Sequence, residues 1–120
     1  MGETVEQRIE MAQELAQINP DSIPVNILTP IKGTPFESYF DKIDEENILR
    51  TIAVFKIANP TSSIRLAGGK KARLSQKNIQ LLIDNCIDSA IVGNYLTTTG
   101  FSPEDDKQKV KKAGKILKTI

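Results

Sequence analysis

The chain has 120 residues, enough for one domain around a single core and small for an enzyme with two cofactors. Hydrophobic residues at 39%, charged residues at 26% and aromatics at 5% describe a globular composition, and 16 basic against 15 acidic residues give no general electrostatic reason to expect nucleic acid or an anionic membrane as partner. The absence of histidine excludes Ser-His-Asp triads and His-ligated zinc for the chain acting alone, and one cysteine excludes an internal disulfide or a Cys-only metal site.

The first helix is predicted to start at Thr4, because Thr4 and Gln7 have the spacing of a capping box. Val5, Ile9, Ala12, Leu15 and Ala16 follow at helical spacing and make one apolar stripe that ends near Asn19-Pro20. Ile23 to Leu28 is a short apolar run rich in β-branched residues, bounded by Asp21-Ser22 and Pro30, and reads as a buried strand. Ile31 to Phe36 and the polar residues beyond it read as a loop.

A second helix is expected over roughly Asp44 to Ala58, with Ile48, Ile52 and Phe55 along one side and Asn59-Pro60 as its stop. A second strand, Ser63 to Leu66, runs into Ala67-Gly68-Gly69, where glycine permits conformations or close approaches that other residues resist. The third helix is capped by Ser75 and places Ile79, Leu82, Ile83 and Cys86 on one stripe, so Cys86 reads as core. The third strand, Ser89 to Gly93, leads into Asn94 to Gly100, whose threonines read as an ordinary loop. Ser102-Pro103-Glu104-Asp105 opens the last helix, and the lysines from Lys107 to Lys118 read as its solvated face.

Helix, then strand and helix in repetition, with no Asn-Gly hairpin between strands, predicts an α/β unit of parallel strands joined by helical crossovers. Such a unit fits half of a TIM-type (β/α) barrel or a small open sheet; which half is left to the resemblance below. No apolar run reaches the roughly 20 residues that span a bilayer, and the polar start is unlike a secretory signal, so a cytoplasmic location is expected.

In parallel β/α units the reactive residues gather at the C-terminal ends of the strands, here Asn26 to Gly33, Arg65 to Gly69 and Gly93 to Thr99. Alternation puts Ile64 and Leu66 on one face and Arg65 on the other, where a buried arginine needs an anionic partner: either a carboxylate elsewhere in a barrel or an anionic ligand. Asn26 alternates with Val25 and Ile27 in the same way and has an amide to satisfy, by protein or by ligand. The acid pairs Glu45-Glu46 and Asp105-Asp106 lie at helix starts, where the helix dipole accounts for them.

The strings Gly2-Glu-Thr with Gln7-Arg8, Ile23-Pro-Val-Asn-Ile-Leu-Thr-Pro-Ile-Lys-Gly-Thr-Pro35, Arg50-Thr-Ile-Ala-Val54, Ile64-Arg-Leu-Ala-Gly-Gly69 and Gly93-Asn-Tyr-Leu-Thr-Thr98 closely resemble biotin synthases, in the family's order and spacing. The resemblance covers essentially the whole chain and implies the second half of the barrel, the C-terminal part of a radical S-adenosylmethionine enzyme that inserts sulfur into dethiobiotin, as a homodimer when complete. It implies that Asn26 contacts dethiobiotin, that Glu3, Leu28 and Thr29 lie near the nucleoside of S-adenosylmethionine, and that Arg65 ligates the [2Fe-2S] cluster. The family's cysteine ligands to its [4Fe-4S] and [2Fe-2S] clusters all precede the part matched here, so the chain alone is expected to bind neither and to be inactive. Cys86 replaces none of them, and Lys70-Lys71 stands where the family commonly has arginine followed by an acid. Two rivals stay open: a related radical enzyme with another small substrate, and a non-enzymatic product of a split gene.

Overall fold

The computed structural model describes residues 2–93 and 102–117. Helix α1 (Val5–Ile18) is followed by β1 (Ser22–Val25), a 3₁₀ helix (Glu37–Lys42), α2 (Glu45–Ala58), β2 (Ser63–Leu66), the single turn α3 (Lys70–Arg73), α4 (Gln76–Asn85), β3 (Ser89–Ala90) and α5 (Pro103–Lys112). The strands form one parallel sheet in the order β1-β2-β3, with Ile23 opposite Ile64 and Arg65 opposite Ser89. The sheet is open, not closed into a barrel.

Helix starts obey the expected chemistry. Thr4 and Gln7 close the capping box at 2.8 and 3.2 Å, and Asp44, Ser75 and Ser102 each accept a backbone N–H three residues on. Asn19 ends α1 in the left-handed region at φ 51°, which Asn tolerates better than most residues. Asn59 ends α2 and is itself buried, its amide nitrogen donating to the carbonyls of Phe55 and of Ala12 in α1, so that one side chain ties two helices.

The core lies between the sheet and its helices. Ile23, Ile64 and Leu66 from the strands meet Ile48, Ile52 and Phe55 of α2 and Ile79 and Leu82 of α4. The other sheet face is uncovered and polar: Pro24, Asn26 and Arg65 are exposed, and the hydroxyls of Ser63 and Ser89 lie 3.3 Å apart. Ile64, between two of these residues, is wholly buried, which is the period-2 alternation of a strand with one buried face. At the outer edge of β1, Pro24 removes a donor. Val25 and Ile27 bond across to Ala67 and Gly68, which leaves the even-numbered residues facing outward.

Several expectations are corrected. β1 is shorter than the run Ile23 to Leu28, because β2 turns away at Gly69 after the bonds Ala67 N–H to Val25 O and Ile27 N–H to Gly68 O. β3 ends at Ala90, and Asn94 to Gly100, including the threonine run, lies outside the described residues. The loop after β1 contains the 3₁₀ helix, and Lys70–Arg73 forms a separate turn. Of the α1 stripe only Ala12 is buried and Leu15 half-buried; Val5 and Ile9 are exposed, because α1 packs along α2 over a narrow strip.

Cys86 is half-buried at the end of α4 and packs against the core without being inside it. The lysine-rich tail is not one solvated face. α5 stops at Lys112, Lys109 is half-buried, and the Lys115 ammonium reaches back to the carbonyls of Ile83 (2.5 Å) and Ile87 (3.3 Å) at the end of α4, where a cation is favoured.

Candidate functional site

A cleft of about 680 Å³ opens at the C-terminal ends of β1 and β2. Its floor is Asn26, Ile27 and Gly68-Gly69; Leu28, Thr29 and Ile31 continue from β1, Ile43 and Lys42 come from the segment before α2, and Asn47 and Thr51 from α2. Glu3 and Arg8, at the start of α1, complete its rim. Strand ends of parallel sheets are where ligands bind in α/β folds, because connecting loops converge there.

The floor is built by glycine. Gly69 sits at φ +80°, and a Cβ there would lie 2.0 Å from the Ile27 carbonyl oxygen, so neither the conformation nor the contact admits a side chain. Gly68 donates its N–H to Asn26 Oδ1 at 3.0 Å. That bond fixes the amide orientation, because only the oxygen accepts from an N–H. The Asn26 Nδ2 donors are left to the exposed side of the floor.

The rim is polar. Arg8 pairs with Glu3 at 3.1 Å and donates to Asn47 Oδ1 (3.0 Å) and Thr51 Oγ1 (3.1 Å), joining the start of α1 to α2 across the cleft wall. Leu28 and Thr29 are half-buried just past β1, and Glu3 is exposed. The four positions Glu3, Asn26, Leu28 and Thr29, spread over the first quarter of the sequence, thus line one cavity.

Arg65 does not join them in the cleft lining. It stands mid-strand on the uncovered face, exposed, with no ion-pair partner among the described residues. The expectation of a buried arginine is corrected for this chain: an open sheet leaves that face in solvent, and Pro24 and Ser89, its cross-strand neighbours, carry no charge.

Three groups behind the cleft were not legible as partners. Lys70, expected only as a departure in a loop, is buried and pairs with buried Asp106 of α5 at 2.6 Å, with Lys109 4.0 Å from the same carboxylate. Glu45, expected only to complement its own helix, accepts the Ser75 N–H at the start of α4, and that bond holds its carboxyl below the usual range. Arg73 reaches from α3 to the carbonyls of Phe40 and Ile43. The signals were there as residue types, but their partners lie 30 or more positions away.

The fold and the cleft define an α/β unit with a ligand-sized cavity at its strand ends. Residues 24–116 match the model of the biotin and thiamin synthesis associated domain, and the chain belongs to that family. It is similar to the C-terminal part of biotin synthases: 44% identical over 125 residues to the biotin synthase of Clostridium tetani, 44% over 106 residues to that of Parafrankia sp. and 40% over 120 residues to biotin synthase 1 of Corynebacterium diphtheriae. These alignments cover 98%, 88% and 100% of this chain and 35%, 29% and 34% of the relatives, so the chain spans about a third of the length of the curated proteins it matches.

Proposed function

We propose that the chain is the C-terminal part of a biotin synthase, a cytoplasmic radical S-adenosylmethionine enzyme that inserts sulfur into dethiobiotin and is a homodimer when complete. The observation that carries the reading is the cleft: Glu3, Asn26, Leu28 and Thr29 converge on one cavity at the strand ends. The open sheet with one polar face is then the second half of a β/α barrel, and that face is the barrel interior.

Asn26 is the substrate contact. Its oxygen is taken by Gly68, so it offers donors, and the ureido carbonyl of dethiobiotin is the matching acceptor. Leu28 and Thr29 give one apolar and one hydroxyl-bearing surface for the nucleoside of S-adenosylmethionine, with Glu3 at the rim. Bound S-adenosylmethionine and the [4Fe-4S] and [2Fe-2S] clusters supply the radical and the sulfur atom.

The donor set of this chain fits those clusters only in part. Arg65 projects from the face assigned to the interior and suits one [2Fe-2S] ligand position, but Cys86, the chain's one thiol, packs with the core on the opposite side of the sheet. Among the described residues no group of three His, Cys, Asp or Glu could hold a metal ion. The resemblance to the family implies that the thiolates holding the clusters lie in the segment that precedes this part.

The test is Asn26→Asp in the complete enzyme. Aspartate keeps an oxygen for the Gly68 N–H and replaces the donors with a second acceptor, which repels a carbonyl. Dethiobiotin affinity should fall about tenfold or more, the loss of one hydrogen bond with an unmatched buried group, while the fold is kept. Unchanged affinity in a well-folded variant would remove Asn26 from the site.

A further inference from the structure

The segment between β1 and α2 forms one wall of the cleft, and its anchor is a side chain from α3, the turn that follows β2. Ile31, Lys42 and Ile43 of this segment line the cavity, while Phe36 and Phe40 point elsewhere and are 39% and 55% exposed. Its own bonds are local and short in range: Tyr39 N–H to Phe36 O at 2.9 Å, Glu37 N–H to Thr34 O at 3.0 Å, and the Phe36 and Tyr39 rings 5.8 Å apart. A surface strap held only so would open easily, since few buried apolar contacts resist it.

Arg73 supplies the long-range hold. Its Nη2 donates to the carbonyl of Phe40 at 2.9 Å and also to that of Ile43, and its guanidinium carbon lies 4.7 Å from the centroid of the Phe40 ring. The two carbonyls stand near the C-terminal end of the 3₁₀ helix, where backbone acceptors lack intrahelical partners and a cation is favoured. A planar guanidinium can donate to the carbonyls and lie against the ring at once; an ammonium cannot do both.

The other end of Arg73 is equally fixed. Its backbone N–H bonds to Gly69 O at 3.1 Å, and Gly69 is pressed against the Ile27 carbonyl. The same turn carries Lys70, locked to Asp106. Floor, turn α3 and strap are thus one continuous set of contacts.

We propose that Arg73 is a positioning residue: it clamps the Ile31–Ile43 strap to the glycine floor and so sets the width of the cleft for its small-molecule ligand. The proposal rests on the cleft being the ligand site. That reading fails on its own if Asn26→Asp leaves dethiobiotin binding unchanged, whereas the clamp is judged on backbone exchange in the chain without ligand.

The experiment is residue-resolved amide hydrogen exchange on the chain and on its Arg73→Ala, Arg73→Gln and Arg73→Lys variants. In the alanine variant the Glu37 and Tyr39 amides should exchange about tenfold faster, while those of α2 and β2 keep their rates. Arg73→Lys should resemble alanine more than the parent, because charge alone does not replace the fork. Parent-like rates at Glu37 and Tyr39 in the alanine variant would overturn the proposal, as would an equal acceleration in every element, which would mark Arg73 as a general stabiliser. Should the alanine variant not fold, the glutamine variant, which retains one donor group, decides between the same two outcomes.

Discussion

Gly69 is the residue on which the cleft floor depends most. The positive φ costs a side chain roughly 1–2 kcal/mol, and a Cβ 2.0 Å from a backbone oxygen forces the Ile27 strand end to shift as well. Gly69→Ala should therefore lower the unfolding free energy by at least about 2 kcal/mol in urea titrations; a loss below about 0.5 kcal/mol would mean the turn relaxes freely. Arg65 predicts the opposite. Exposed and without an ion-pair partner among the described residues, it should tolerate Arg65→Met in this chain within about 0.5 kcal/mol, and a larger loss would restore a structural role. The sequence allowed both an ion pair and a ligand role for Arg65, and alternation settled only which face it takes. The glycine pair was legible as a tight approach, but not what it approaches, since Ile27 is 42 positions away.

At the scale of elements, α1, α2, β2, α4 and the start of α5 were legible because caps and apolar periodicity are local signals. The 3₁₀ helix and the turn α3 were not, because both are held by distant partners: Arg73 for one, the Gly69 approach to Ile27 and the Lys70–Asp106 pair for the other. That pair docks α5 behind the cleft floor. Asp106→Asn would remove the carboxylate charge that buried Lys70 meets at 2.6 Å and Lys109 at 4.0 Å, and breaking one partner of a buried pair costs about 3–5 kcal/mol. Thermal unfolding should show that loss, and Lys70→Met combined with Asp106→Leu should recover most of it, since an apolar pair of similar volume is often neutral. An Asp106→Asn variant as stable as the parent would show that α5 is held by something else.

For the whole molecule, the parallel order of strands and helices could be read from the sequence, while closure could not: periodicity fixes which face of each strand is buried and is silent on how many strands share the sheet. The uncovered polar face and the two edge strands should make the isolated chain associate with itself, although Pro24 removes one donor from the β1 edge. Sedimentation over a range of concentrations should show a rising mean mass; a concentration-independent monomer with cooperative unfolding would mean the face is satisfied without a partner.

The proposed reading of this chain as the C-terminal part of a biotin synthase can be put to a functional exchange. Its most direct test is a chimaera in which the chain replaces the matching third of a relative's sequence, assayed for conversion of dethiobiotin to biotin. The chimaera should form biotin, and with Asn26→Asp it should need about tenfold more dethiobiotin to do so while S-adenosylmethionine cleavage continues. A folded chimaera with both clusters in place that cleaves S-adenosylmethionine but neither binds nor converts dethiobiotin would contradict that reading.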